Sequence, residues 1–232
     1  MKRLEEKEKE YLDDIREFDR ESVRFYSNEY KPLREKKVVK AFLQVIGVDF
    51  GGQEVISYRP DPPDVIFGEA RFEVVDLLDK DRERHKEFKD RADKSKAASC
   101  LADVCHDLHE EPSDRSPIEF AELLGRIEKE VIDKKYKKLK SRKNRIVDFG
   151  TLDLLIYVTL KKHYLIPPVK LVCPSDFLTS LRGQGWRSVS FFMEFFAGVF
   201  FSKVDAPVFI KNLKGRIIFV EDAMVASSLW QD

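Results

Sequence analysis

Asp64-Val65-Ile66-Phe67-Gly68-Glu69-Ala70-Arg71-Phe72-Glu73-Val74-Val75 reads as two short apolar runs joined by a two-residue connection. β-branched and aromatic residues dominate both runs, as strands require. Glycine comes first in the connection, the order that a type II′ hairpin turn prefers. Such a turn sets a register in which Phe67 faces Ala70, Ile66 faces Arg71, Val65 faces Phe72, and Asp64 falls opposite Glu73. Directly opposed side chains have Cβ atoms about 4.5–5.5 Å apart, so two carboxylates become neighbours. On an exposed edge such a pair is simply solvated. Here Val65, Ile66, Phe67, Phe72, Val74 and Val75 make both strands apolar on both faces, where an unpartnered charge is costly and a bound cation would neutralise it. Two carboxylates, a backbone carbonyl and waters suit Mg²⁺ or Mn²⁺. The absence of a nearby His or Cys argues against a zinc-type site.

Outward from this hairpin the pattern alternates between helical and β periods. Val55 to Tyr58 is a third short β-rich run. Ahead of it, Val38, Val39, Phe42, Leu43 and Ile46 form a helical stripe, with Asn28 as its cap, Pro32 in its first turn and Gly47 at its end. Leu4 to Tyr26 spaces Leu4, Tyr11, Leu12, Ile15, Phe18 and Phe25 near the helical period among dense charges, which predicts an amphipathic helix. Downstream, residues 79–115 are highly charged and read as one or two helices ending in a loop around Pro112. Ser116-Pro117-Ile118-Glu119 then supplies an N-cap, an N1 proline and an early acid for a helix over 117–141, striped by Phe120, Leu123, Leu124, Ile127 and Val131. Leu152 to Leu160 is a continuous apolar and β-branched run broken only by Asp153, as in a central strand covered on both faces. The order is helix, three strands, helix, strand, a mixed α/β fold with a C-terminal elaboration. It is expected as a single domain over 31–232, preceded by the helix of 1–30.

Composition narrows the partners. Lys+Arg and Asp+Glu balance at 42 each, so nucleic-acid contact would have to come from a local patch. The 43% of hydrophobic residues, 18 Phe among them, can build a substantial core. Met1 to Asp14 is charged from its second residue and has no apolar h-region. The longest apolar stretch, Phe191 to Phe201, is too short to span a bilayer and carries Glu194. Three cysteines, Cys100, Cys105 and Cys173, fit reduced thiols rather than a disulfide scaffold, and a cytoplasmic location is expected.

Pro62-Pro63-Asp64-Val65-Ile66-Phe67 followed by Ala70-Arg71-Phe72-Glu73-Val74 resembles a bacterial domain-of-unknown-function family described as endonucleases. Asp148 to Tyr157, with Asp153-Leu154-Leu155 at its centre, and Gln184-Gly185-Trp186-Arg187-Ser188 extend the likeness over roughly Arg34 to Phe219. That family in turn is similar to the PD-(D/E)xK nucleases, whose restriction-endonuclease-like core has the αβββαβ order read above. The resemblance implies Asp64 and Glu73 as metal ligands, the Val74 carbonyl as a third, and Glu35 as an acid from the preceding helix. It also exposes a departure, since the superfamily pattern calls for lysine where this chain has Val75. Some branches supply that cation from the helix after the third strand. Lys135 continues the stripe of Ile127 and Val131 at i+4 spacing and is the first choice, with Lys134 second.

Weaker signals each have a plain structural alternative. The run Lys134-Lys135-Tyr136-Lys137-Lys138, continuing to Arg145, could follow a phosphate backbone or be a solvated helix end. Arg182 and Arg187, flanking Gly183-Gln184-Gly185-Trp186, could present guanidinium groups to phosphate, unless Trp186 only anchors the loop. Asp153 could join the acidic site or bond backbone amides. Cys100, Cys105, His106 and His109 match no standard zinc spacing. Two functions follow: a Mg²⁺- or Mn²⁺-dependent endonuclease, or a catalytically inactive nuclease-fold module that binds partners, a reading favoured by Val75. The charged amino-terminal helix could in addition mediate a homodimer.

Overall fold

The structure is a computed structural model that describes residues 2–50, 54–59, 61–80, 82–104, 115–142, 146–165, 171–193 and 196–219. Its elements are α1 (Lys2–Phe25), α2 (Lys31–Val45), β1 (Ile56–Ser57), β2 (Val65–Phe67), β3 (Ala70–Leu78), α3 (Arg84–Ala97) and β4 (Ser116–Ile118). Then come α4 (Phe120–Arg126), a π-helical segment (Ile127–Ile132), α5 (Asp133–Lys140), β5 (Asp153–Thr159) and β6 (His163–Leu165). The chain continues with α6 (Ser175–Gln184), β7 (Ser188–Met193), β8 (Phe196–Ser202), α7 (Val208–Lys211) and β9 (Ile217–Phe219). They gather into two compact units, 1–34 with 80–115, and 35–79 with 116–232.

The larger unit is built on a seven-stranded mixed sheet in the order β1-β2-β3-β5-β7-β8-β9. β3, β5 and β7 run parallel in the middle, and antiparallel hairpins close both sides. The β2–β3 hairpin has the register read from its turn, Val65 to Phe72, Ile66 to Arg71 and Phe67 to Ala70. Gly68 takes φ 53, a left-handed value that glycine adopts at little cost. β5 is buried along most of its length between β3 and β7, which explains its apolar run from Leu154 to Val158.

Each face of the sheet has its own core, and the alternation of side chains assigns residues to one or the other. On one face, α2 lays Val38, Val39, Phe42 and Leu43 against Val65, Phe72, Val74 and Leu155. On the opposite face, Leu123, Ile127, Val131, Ile132 and Leu139 of the 120–140 helical run cover Leu77, Leu154, Ile156 and Val158.

One expected boundary is corrected. Ser116-Pro117 does not begin a helix; residues 116–118 form β4, parallel to β6, and the helix starts at Phe120 without a side-chain cap at Glu119. The Ser116 amide donates to the Lys162 carbonyl and its hydroxyl lies 3.0 Å from His163 Nδ1, so strand pairing takes the groups that a cap would have used. Proline is tolerated in so short a two-stranded ladder, where a missing N–H removes little.

In the smaller unit α1 packs on α3. Leu12 and Ile15 join Ala98, Leu101 and Val104, Tyr26 stacks on Phe88, and Arg16 donates to the Ser95 and Ala98 carbonyls. Part of the apolar stripe that pointed to self-association is therefore used within the chain, leaving Tyr11 and Phe18 exposed. No described helix is long and apolar enough to cross a membrane.

Asp153 and Arg187 stitch the larger unit together. Asp153, 1% exposed, accepts from Arg187, from the Ser188 hydroxyl at 2.7 Å and from the Arg71 amide at 3.0 Å, while Arg187 also donates to the Glu69 carbonyl at 2.9 Å. Removing one partner of a buried ion pair strands the other. Asp153→Ala is therefore expected to lower the unfolding free energy by about 3–5 kcal/mol in urea denaturation, with partial recovery in Asp153→Ala/Arg187→Met. A loss no larger than that of a surface substitution would contradict this role.

Candidate metal centre

Glu73 lies next to Leu154 in the β3–β5 register and so projects from the face covered by the 120–140 helical run. Asp64 precedes β2, with its amide bonded to the Phe72 carbonyl at 2.9 Å, and its carboxylate clusters with that of Glu73. Glu73 is 0% exposed and Asp64 5%. Lys135 reaches them from α5. Its Nζ is 2.5 Å from Glu73 Oε1 and 3.9 Å from Asp64 Oδ2.

The helical run gains this reach through its π-helical segment, where the Asp133 amide bonds back to the Glu128 carbonyl. The wider turn buries Val131 and Ile132 together before the α-helical pitch resumes. Lys135 and Leu139 follow at i and i+4 and share one face of α5, and Arg142 lies two residues beyond the end of that helix at Lys140. Leu139 enters the core, while the two cations reach the carboxylates on either side of it.

A third acid, Asp61, completes the group. One ligand atom from each of Asp61, Asp64 and Glu73 can be chosen so that all lie within 4.8 Å of one another. Arg142 holds Asp61 through both carboxylate oxygens, at 3.2 and 3.1 Å, and through its carbonyl at 2.9 Å. Sequence reasoning missed Asp61 because it lies outside the strands. The only signal for it is its place three residues before Asp64 across Pro62-Pro63.

Burial, first of all, pushes the Glu73 carboxyl up to about 7; Lys135 opposes that rise and Asp64 adds to it. Glu73 Oε2 has no hydrogen-bond partner among the described residues, an exception that buried oxygens rarely make. Asp64 Oδ2 accepts from the Val74 amide at 2.9 Å. A strand residue's N–H and C=O point to the same edge, so the Val74 carbonyl is directed to the Asp64 side, beyond the end of β2. Three carboxylates and a carbonyl make an all-oxygen donor set, and with the unpartnered Glu73 oxygen it could hold a hard divalent cation such as Mg²⁺ or Mn²⁺.

Other expected residues stand elsewhere. Glu35 is buried on α2, whose core residues pack on the opposite face of the sheet, and its carboxylate is not among those that converge. Lys134 is exposed, because one residue of helix rotates it away from the face that carries Lys135. Arg187 does not present a guanidinium to solvent; it is spent on Asp153 and Glu69. Asp153 faces the α2 side and does not join the acids. Lys137, Lys138 and Arg182 are exposed, and Trp186 is fully buried. Cys105, His106, His109 and the Lys143 to Arg145 end of the basic run lie outside the described residues.

A family model described as "Putative endonuclease, protein of unknown function (DUF1780)" matches residues 7–225. A solved structure of a protein of unknown function from Pseudomonas aeruginosa strain PAO1, described as of the monooxygenase superfamily, is 29% identical. It covers 94% of this chain and 97% of its own, with a TM-score of 0.61. No curated protein matches.

The raised Glu73 carboxyl gives a signed pH dependence. An acid lifted above its ordinary value of 4.5 supports the fold below that value and costs stability as pH climbs through about 7. Between about pH 5 and about pH 8 the melting temperature of the metal-free protein should fall relative to that of Glu73→Gln. Parallel melting curves for the two proteins would contradict the assignment.

Proposed function

The chain belongs to the family described as "Putative endonuclease, protein of unknown function (DUF1780)", and we propose that it is a metal-dependent endonuclease that hydrolyses nucleic-acid phosphodiester bonds at the Asp64, Glu73 and Lys135 cluster. The observation that carries the reading is the wholly buried Glu73 carboxylate, ion-paired to Lys135 through one oxygen and unpartnered at the other among the described residues. Asp64, Glu73 and the Val74 carbonyl, with Asp61 beside them, would hold the cation. A divalent ion there would supply water activation and neutralise charge developing on the phosphate.

Lys135 does the work that Val75 cannot. It comes from the helix over the sheet rather than from the strand, and its Nζ stands beside both Glu73 and Asp64. An ammonium with three donors can bond Glu73 and still orient a nucleophilic water against the phosphate. Glu73 in turn fixes the lysine, which four methylenes would otherwise leave mobile. This resembles the PD-(D/E)xK arrangement with its lysine migrated to a helix.

Incubation with DNA and RNA in Mg²⁺ or Mn²⁺ tests the reading. Cleavage should appear only with metal, vanish in Asp64→Asn and Glu73→Gln, and fall about a hundredfold or more in Lys135→Ala. Calorimetry should show Mn²⁺ binding lost in the first two variants. Mn²⁺ binding that ignores both substitutions would end the proposal, whereas Mn²⁺ binding without cleavage would favour the inactive binding module.

A further inference from the structure

Arg142 sits at the rim of the acidic cluster. Its side chain is 29% exposed and its partner Asp61 is 40% exposed, against 0% for the Glu73 side chain and 12% for that of Lys135. A group arriving from solvent therefore meets Arg142 before it meets Glu73. Of the five N–H donors of the guanidinium, three serve Asp61: both on Nη1 and one on Nη2. The Nε and second Nη2 donors have no partner among the described residues. A planar fork with spare donors matches two oxygens of a phosphate, and guanidinium is the side chain best suited to that geometry.

The charge balance supports the same reading. Asp61, Asp64 and Glu73 place three acids beside two cations, Lys135 and Arg142. Without a divalent ion the acids outnumber the cations, so an approaching polyanion depends on an accessible cationic side chain. Lys135 is held deep by Glu73, which leaves Arg142 as the accessible one.

We propose that Arg142 is a substrate-binding residue that receives a backbone phosphate of the nucleic acid, with Asp61 as the counter-ion that aligns it beforehand. This rests on the nuclease reading of the neighbouring carboxylates. Asp61 competes with the phosphate for the same guanidinium, so removing the acid has the opposite effect to removing the arginine. A purely structural tie between the loop at Asp61 and the end of α5 predicts instead that either substitution disturbs the site in the same direction.

The test is binding of short labelled DNA and RNA oligonucleotides to the full chain in EDTA, followed by fluorescence anisotropy. Arg142→Ala should weaken binding about tenfold, with Arg142→Lys between it and the parent protein. Asp61→Asn should tighten binding several-fold, and that gain should disappear when Arg142→Ala is also present. Four results would each overturn the assignment: no effect of Arg142→Ala, weakening by both single substitutions, a gain from Asp61→Asn that persists without Arg142, or no oligonucleotide binding by the parent protein. Mn²⁺ calorimetry on the same proteins separates the two levels. Absence of a metal site dependent on Asp64 and Glu73 takes down the nuclease reading and this inference together, whereas an intact metal site with Arg142-independent binding takes down this inference alone.

Discussion

A carboxylate with no exposed surface, held on the face of a mixed sheet, is the constraint around which the larger unit is organised. Burying Glu73 beside Leu154 removes it from water and surrounds it with apolar core residues. The compensation comes from Lys135, whose ammonium is delivered by a helix crossing the same face. That delivery depends on the phase of the helix. The π-helical segment at Ile127–Ile132 lets Val131 and Ile132 both bury, and the α-helical pitch that follows brings Lys135 round to the carboxylates.

The opposite face carries a second buried ion pair with a mechanical role. Arg187 bridges Asp153 on β5 to the Glu69 carbonyl in the hairpin turn, and Asp153 accepts the Arg71 amide from the start of β3. The hairpin that brings Asp64 beside Glu73 is thereby fixed from behind. A slip of one residue in that hairpin would send Asp64 to the α2 face and separate the two acids. The Asp153 and Arg187 pair thus protects the register on which the acidic cluster depends, without contributing an atom to it.

How much of this was legible in the sequence follows from which interactions are local. The hairpin register was readable because a two-residue turn with glycine first and two β-branched runs determine it within a dozen residues. Lys135 was readable because i+4 spacing survives the helix in which it lies. Residues 116–118 were misread because capping and strand pairing compete for the same serine and proline, and the deciding partner, His163–Leu165, is far along the chain. Arg187 looked like a phosphate ligand for the same reason, since its acid is 34 residues away. Asp61 escaped notice because a carboxylate in a loop has no periodicity to place it, and its partner Arg142 is 81 residues distant.

A lysine presented from a helix is held differently from one on the strand that carries its acid. A lysine on the third strand would share the backbone of the acid it serves, and its position would be as rigid as the sheet. Lys135 belongs instead to α5, and Arg142, the rim cation, follows two residues after that helix ends at Lys140. The sheet, through Glu73 and Asp64, and the loop, through Asp61, hold the matching anions. Positive and negative groups thus come from separate elements that meet across the site.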